Sequence, residues 1–278
     1  MNFLVSGLAS KEQNMSKHSK TARYNVPGFS KGIRLIEIMS EVDRPLGLTE
    51  ASNLVELNQH MTLRLLQTLV QEGWVIEEEV GPKYRLSLKP FHITSRPLVR
   101  SDLLRMATEP IHQLYEQTGE STSLGVLDGN RVLYVLHFNG TRPVAIIGRV
   151  GSRYLLQCAA AGKVLLAHAG EQLVDRLVAE GLEALTPQSR TTKAAVMEDC
   201  AQTLAQGYAV DREEYAKGLI CFAAPIFDHS GKAIAALNTS VLLLHYTLEE
   251  FIEKIGPKVL ETSRQISGAM GYVPKKST

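Results

Sequence analysis

Residues 48–89 impose the strongest constraint on the fold, because they carry two short helical patterns and a hairpin pattern in immediate succession. In LTEASNLVELNQHMTLRLLQTLVQEGW, a short helix capped by Thr49 precedes a tight turn at residues 56–58. A second helix over residues 59–72 follows and is closed by Gly73. This spacing predicts a helix-turn-helix.

The flanking segments extend this motif on both sides. After the second helix, VIEEEVGPKYRLSLK alternates apolar and polar residues around a turn at residues 80–82, as a hairpin does. Ahead of the motif, apolar residues recur at helical spacing over residues 30–42, with Ser30 as the predicted cap. Three helices followed by a hairpin predict a winged helix over residues 25–90.

The second helix of a helix-turn-helix lies in the major groove, and its N-terminal residues touch base edges. We expect Met61, Leu65, Leu66 and Leu69 to face the core. Gln and Arg can form paired hydrogen bonds with adenine and guanine, and a Leu can meet a thymine methyl. The alternative is that the outward residues are only solvated, and acids at residues 77–79 would repel phosphates unless they face away. The predicted DNA contacts are Thr49, Gln59, His60, Leu63, Arg64, Gln67, Lys83 and Arg85.

Residues 1–24 are predicted to form a flexible basic tail. Between residues 1 and 36 there are six Lys or Arg against one acid, Glu12. Such a segment either contacts phosphates or is simply solvated. Its short apolar start precedes the basic residues, the reverse of a secretory signal, and Met15 is an alternative initiator.

Composition argues against several other classes of protein. Hydrophobic residues make up 44% of the 278 residues, and no apolar run reaches the roughly 18 residues that a membrane span requires. Three cysteines without a CxxC pair argue against a disulfide framework or a zinc site and fit a reducing cytoplasm. No His lies four residues from another His or a Cys in a helical pattern, so we expect no metal and no other cofactor.

The remainder of the chain changes character. Proline and basic residues in KPFHITSRPLVR interrupt the helical pattern and predict a linker over residues 91–102. A helix ending at Gly119 and short strands with turn dipeptides at Asp128-Gly129 and Asn139-Gly140 come next. Residues 103–278 therefore predict an α+β domain with a largely antiparallel sheet. Its strands include LICFAAPIFD and AIAALNTSV, and its helices are predicted over residues 101–117, 160–168, 171–180, 193–206 and 248–270.

The stretch DREEYAKGLIC has an acid, Asp211, at one end and a thiol, Cys221, at the other. Together with Gly207 and Glu214 it resembles the signature of the IclR family of bacterial transcriptional regulators. The segments VGSRYLLQCAAAGKVLL and RLLQTLVQEGWV are similar to family segments as well, and the resemblance extends from about residue 24 to residue 271. It implies an N-terminal winged helix-turn-helix, a connecting helix that helps dimerisation, and a C-terminal effector domain similar to GAF and profilin-like sensors.

The resemblance also implies partners and a ligand site. The expected partners are double-stranded promoter DNA and a second copy of the chain, in a homodimer or homotetramer that acts as repressor or activator. The expected effector is a small organic acid or a sugar-derived or aromatic catabolite. By position, the family pocket maps onto the backbone of Ala160 and Ala161. Its polar groups would be Asp211, Cys221, Asn238 and Ser240, and its apolar walls would be Ile146, Tyr154 and Leu219.

Two alternatives to an effector-responsive regulator stay open at this point. The first is a catabolic enzyme that uses Cys221 and Asp211 on a small acid, and the second is an adaptor that binds DNA without any ligand. Cys221 lies in an apolar strand without a neighbouring His, which favours a pocket wall over a nucleophile. An Asp facing an anionic effector is unfavourable unless it accepts a hydrogen bond from an effector hydroxyl or is itself protonated. The amides near residues 160–162, at a helix N-terminus, are suited to a carboxylate.

Overall fold

The computed structural model describes residues 26–79, 81–99, 101–144 and 148–274. The predicted tail, residues 1–24, and Ile146 lie outside these ranges. The chain divides between Pro97 and Leu98 into two compact units. The first is the winged helix-turn-helix that the sequence predicts, and the second is an α+β unit built on an antiparallel sheet.

The first unit packs three helices against a small antiparallel sheet in the order β1-β3-β2. Its core is apolar and includes the fully buried Leu35, Leu66 and Tyr84. Glu56, with φ 57°, ends the second helix in the left-handed conformation and so makes the turn of the motif. The elements are α1 (Pro27–Glu41), β1 (Leu46–Gly47), α2 (Leu48–Val55), α3 (Gln59–Gln71), β2 (Val75–Glu77) and β3 (Lys83–Leu86).

Three local predictions for the first unit are wrong. α1 begins at Pro27, because a proline fits the first turn of a helix, so Ser30 lies inside the helix rather than at its cap. α2 begins at Leu48, which places Thr49 in the first turn with Gly47 as the capping residue. On α3 the buried face includes Thr62, whereas Met61 is 42% exposed.

The predicted break in KPFHITSRPLVR is also wrong. The structure forms a helix there, α4 (Lys89–Val99). Pro90 lies in its first turn, where the missing N–H has no intrahelical partner to lose. The next helix, α5 (Asp102–Thr118), ends as predicted at Gly119, which takes a left-handed conformation with φ 67°.

The second unit is organised around one six-stranded sheet in the order β6-β5-β4-β9-β8-β7, with every neighbouring pair antiparallel. The predicted single C-terminal helix is two helices that meet at Ile255, because Pro257 starts a new first turn. The elements after α5 are β4 (Ser121–Asp128), β5 (Arg131–Phe138), β6 (Arg153–Leu155), α6 (Ala160–Ala169), α7 (Glu171–Glu180), α8 (Lys193–Gln206), β7 (Ala209–Arg212), β8 (Leu219–Phe227), β9 (Ala233–Leu242), α9 (Leu248–Lys254) and α10 (Gly256–Ala269).

Each face of this sheet carries its own core. One face packs against α5, α9 and α10 through residues such as Ile111, Phe222 and Phe251. The other packs against α6, α7 and α8. α6 approaches closely because Gly162 has no side chain: a Cβ there would lie 2.6 Å from the Cα of Leu156. The second face is where the candidate ligand-binding residues lie.

Candidate functional site

α3 presents four of the eight predicted DNA contacts to solvent. Asn58 caps the helix by accepting a hydrogen bond from the Met61 amide at 2.8 Å. The side chains of Gln59, His60, Leu63 and Arg64 are exposed, as are those of Thr49, Lys83 and Arg85. Gln59 Nε2 donates to Thr49 Oγ1 at 3.1 Å, which ties the start of α3 to α2. The helix therefore offers an exposed surface that contains one cation, Arg64, and several hydrogen-bonding groups.

Gln67 differs from the other predicted contacts. Its Nε2 donates to Glu77 Oε2 at 2.9 Å, and Glu77 Oε1 accepts from the Tyr84 hydroxyl at 3.0 Å. This chain of hydrogen bonds joins α3 to the hairpin within the domain. The side chain of Gln67 is accordingly half-buried.

Two of the acids beside the hairpin have partners within the same unit. Glu77 is held by Gln67 and Tyr84, and Glu78 lies 3.7 Å from Arg85 Nε. Lys83 and Arg85 are both exposed on β3. Of these contacts, only that of Glu78 with Arg85 therefore reduces the repulsion of phosphates that the sequence leads us to expect, because the partners of Glu77 are uncharged.

The sheet of the second unit gathers the predicted pocket residues onto one face. Asp211 pairs with Cys221, and Cys221 pairs with Ser240, so the three form a row across β7, β8 and β9. The next row on this face contains Asn238 and Ser123. Directly paired residues of an antiparallel sheet point to the same side. Five side chains from four strands therefore share one face, and they include all four predicted polar groups.

The apolar predicted residues surround these rows. Leu219, Ala160 and Ala161 are buried in the same core, and Tyr154 packs against it. Ala161 Cβ would lie 3.4 Å from a Cβ at Gly125, which places the first turn of α6 over β4. The capping residue of α6, Ala159, offers no side-chain acceptor, and the first N–H groups of a helix have no intrahelical partner.

Two buried polar atoms on this face accept no hydrogen bond from the described residues, Asp211 Oδ2 and Asn238 Oδ1. Asp211 and Asn238 are both completely buried. Asp211 Oδ1 accepts from the Glu214 amide at 2.7 Å and the Tyr215 amide at 3.3 Å, so only its second oxygen is left over. Asn238 Nδ2 donates to Ser240 Oγ at 2.9 Å. A buried acceptor without a partner is costly, and a ligand with complementary groups would remove that cost.

A buried ion cluster lies beside the row that contains Asp211. Lys163 Nζ on α6 lies 2.8 Å from Asp199 Oδ2 on α8 and 2.5 Å from Glu214 Oε1. It also donates to the Val210 carbonyl at 3.3 Å. Arg190 Nε reaches Asp199 Oδ2 at 3.2 Å. One ammonium group is thus shared by two carboxylates, and its remaining donor is directed to the backbone.

The titration of the acids and thiols follows from burial. Burial raises the pKa of Asp211 to about 7, and the nearby charge of Glu214 acts in the same direction. Burial also raises the pKa of Glu214, against the effect of Lys163. The pKa of the Cys221 thiol lies well above its usual value because of burial and the neighbouring Asp211. A neutral, buried thiol is a poor nucleophile.

Lys163 and Glu214 are the site residues that the sequence predictions did not include. Glu214 belongs to the signature, but its role as the partner of Lys163 was not foreseen. A signal was present, since Lys163 is the single charge in the otherwise apolar stretch AAGKVLLA. Lysine is almost never fully buried unless it is paired, so this position required acidic partners from elsewhere in the fold.

Comparison with known proteins agrees with both units. The model of the bacterial transcriptional regulator IclR C-terminal domain matches residues 96–268, and that of the IclR helix-turn-helix domain matches residues 29–78. The chain belongs to the IclR family. It is a DNA-binding transcriptional regulator, and its relatives are named as regulators rather than enzymes.

Individual relatives of this IclR-family chain extend over most of its length. The HTH-type transcriptional regulator KdgR of Escherichia coli K12 is 33% identical over 250 residues, which cover 89% of this chain and 94% of KdgR. XynR of the same organism is 31% identical over 252 residues, covering 89% of this chain and 98% of XynR.

Solved structures share the fold. An IclR regulator from Alicyclobacillus acidocaldarius superposes with a TM-score of 0.74 at 27% identity, covering 89% of this chain and 100% of that one. An IclR homolog from Microbacterium hydrocarbonoxydans, complexed with 4-hydroxybenzoate, gives 0.76 at 22% identity, covering 87% and 98%.

No helix among the described residues is long and apolar enough to cross a membrane. Within the same ranges, no group of three or more His, Cys, Asp or Glu side chains is arranged to hold a metal ion.

Proposed function

We propose that the chain regulates a catabolic operon by reading promoter DNA with α3 and the hairpin, and by binding a small carboxylic acid on the α6-covered face of its sheet. The regulator acts in the cytoplasm, where bacterial promoters are located. The observation that carries the effector assignment is the pair of completely buried, unpartnered oxygens of Asp211 and Asn238 beneath the first turn of α6.

In this proposal the DNA contacts divide into two groups. Gln59, His60, Leu63 and Arg64 are exposed at the N-terminal part of α3, where base edges are read. Lys83 and Arg85 on β3 would contact phosphates. Thr49 and Gln67 would act mainly by fixing α3, because each is hydrogen-bonded to or from a neighbouring element of the unit.

The DNA-reading part is tested by fluorescence anisotropy with a duplex from the region upstream of the protein's own gene and a scrambled competitor, over a salt series. We expect Arg64→Ala to lower the preference for the specific duplex by about 1–3 kcal/mol. Arg105→Ala is the matched control, because Arg105 is an exposed arginine of the other unit paired with Asp102. Equal loss in both variants, or equal affinity of the wild type for both duplexes, would count against this assignment of α3.

In the ligand site, the residues would divide the recognition between them. The first-turn amides at Ala160 and Ala161 would face the effector's carboxylate, with Asp211, Cys221, Asn238 and Ser240 as polar groups. Tyr154, Leu219 and Ile146 would supply apolar walls. The first probe is 4-hydroxybenzoate, the ligand of the Microbacterium homolog, measured by the shift in Tm. A Tm that no carboxylate raises would contradict the effector assignment and favour constitutive DNA binding.

We also propose that the protein is a homodimer or a pair of dimers, held in part by apolar side chains of the first unit. Phe29 and Ile33 lie one turn apart on α1 and are 70% and 44% exposed. Leu88 and Phe91, at the start of α4, are 81% and 70% exposed. Grouped exposed apolar side chains mark interaction surfaces, and a second copy of the chain is the partner we assign to them.

The oligomer is tested by sedimentation velocity over a concentration series. Phe29→Ser and Phe91→Ser should shift the wild-type oligomer towards monomer. Leu204→Ser, at another exposed leucine, is the control and should not. A monomeric wild type at all concentrations would overturn this part of the proposal.

A further inference from the structure

Asp211 is surrounded by ionisable groups from several elements of the fold. The described ionisable groups that act on it or respond to it come from the turn after β7, from β8, from β5, from the loop before α6 and from α6 itself. Among them Lys163 is the cation, and it is already shared by Asp199 and Glu214. These groups are Glu214, Tyr215, Cys221, Tyr134, Cys158 and Lys163.

The two carboxyl oxygens of Asp211 differ in their hydrogen bonds. Oδ1 is occupied by the amides of Glu214 and Tyr215. Oδ2 has no partner among the described residues, although the side chain is completely buried. A carboxylic acid at this position would carry its proton on Oδ2 and become a hydrogen-bond donor. A carboxylate there would be a second buried anion next to Glu214, with no cation of its own.

An anionic effector increases the energetic difference between the ionised and the protonated form of Asp211. If Asp211 is ionised, two carboxylates meet in one buried site, which is strongly unfavourable. If it is protonated, the O–H donates to the effector's carboxylate and the repulsion becomes an attraction between an acid and an anion. Resting on the effector site proposed above, we propose that Asp211 is a proton-carrying specificity residue, which admits monocarboxylates by donating a hydrogen bond from Oδ2.

The reaction balances with one proton. Where Asp211 starts ionised, the free protein takes up one proton from solvent as the carboxylate binds, and no covalent bond other than the O–H forms or breaks. Where it starts protonated, the anion binds without proton exchange. Binding of a carboxylate is therefore linked to pH on the alkaline side, and binding of an uncharged analogue is not.

The linkage has a defined size. Because the pKa of free Asp211 is raised to about 7, the protonated form is depleted tenfold for each pH unit well above that value. The Kd for a carboxylate should therefore rise by about tenfold per pH unit above neutrality and stay level below it. The pH dependence of Kd distinguishes two roles of Asp211. If Asp211 instead accepted a hydrogen bond from an effector hydroxyl, its ionisation would strengthen binding, and Kd would not rise with pH.

The experiment is isothermal titration calorimetry of the full chain between about pH 6 and about pH 8.5. The probes are 4-hydroxybenzoate, acetate as a small carboxylate without a ring, and 4-hydroxybenzamide as the uncharged control. Titrations in phosphate and in Tris, whose ionisation enthalpies differ, count the protons taken up. We expect uptake approaching one proton per carboxylate at alkaline pH, with Kd weakening as calculated, and no uptake with the amide.

Two variants complete the test. Asp211→Asn keeps an oxygen for the Glu214 and Tyr215 amides and a donor in place of Oδ2–H, so its Kd for a carboxylate should not vary with pH. Asp175→Asn removes an exposed acid paired with Lys193 and should behave as the wild type. The proton count of the wild type stands as a test even where Asp211→Asn does not fold.

The outcomes are distinct. Carboxylate binding with a level Kd and no proton uptake overturns the role of Asp211 but leaves the effector site in place. An Asp211→Asn variant with the wild-type pH slope does the same. If neither carboxylate binds at any pH, the proposed carboxylate site itself is wrong and this inference fails with it, whereas the DNA-reading proposal is unaffected.

Discussion

Replacing Asp211 with asparagine should stabilise the protein at neutral pH, against the usual effect of a change in a buried hydrogen-bonded residue. Burial moves the pKa of this acid from 3.8 to about 7. At pH values between these two pKa values, the unfolded chain releases the proton while the folded chain keeps it. The stability of the wild type therefore falls as pH rises through this range, and this contribution becomes constant above the folded pKa. The full shift corresponds to about 4 kcal/mol at 1.36 kcal/mol per pKa unit.

The asparagine variant does not ionise, so it escapes this loss. Its advantage in free energy of unfolding should be small near pH 4, widen by about 1.4 kcal/mol per pH unit and level off above about pH 7. Urea denaturation followed by circular dichroism at a series of pH values measures this directly. The effects of burial and of Lys163 on the pKa of Glu214 are common to both proteins and cancel in the difference. The repulsion between Glu214 and an ionised Asp211 is absent from the variant and belongs to its expected gain.

Asp175→Asn is the control, and its stability relative to the wild type should not widen with pH. A difference for Asp211→Asn that is the same at pH 5 and pH 8 would refute the argument. So would a variant that becomes less stable than the wild type as pH rises, because that would mean the folded state favours the ionised acid.

Three further changes test the packing and capping described above. Lys163→Met leaves two buried carboxylates without their shared cation and should cost about 3–5 kcal/mol, whereas Lys193→Met on the surface should leave the urea midpoint unchanged within error; equal effects would contradict the cluster. Gly162→Ala places a Cβ 2.6 Å from the Cα of Leu156 and should lower the free energy of unfolding by about 1–3 kcal/mol. Gly268→Ala, which has open space on α10, should raise it by up to about 1 kcal/mol. A gain in stability at both positions would show that α6 can shift freely. Asn58→Ala removes the α3 cap and should lower stability by about 1 kcal/mol, with no change in the midpoint disproving the cap.

The sequence predicts local structure correctly where a strong signal lies within a few neighbouring residues. The helix-turn-helix, the hairpin and the left-handed end of α5 at Gly119 all depend on residues within a few positions of one another. Errors occurred where the local signal is ambiguous. Pro27 and Pro90 both start helices, whereas the sequence pattern favours Ser30 as the cap of α1 and predicts a break in KPFHITSRPLVR. The assignment of Met61 to the core failed because the buried face of α3 is offset by one residue to Thr62.

The amino-acid sequence by itself determined the winged helix-turn-helix, the two-part organisation and the family of this protein, because periodicity, turn chemistry and the spacing of the signature are properties of the chain. Only the tertiary structure decided the state of the candidate ligand site. The ionisable groups around Asp211 come from a turn, two strands, a loop and α6. Among the described residues the cation near it, Lys163, is held by Asp199 of α8 and by Glu214. Burial and charge sharing depend on distances across the fold, and no local pattern contains them.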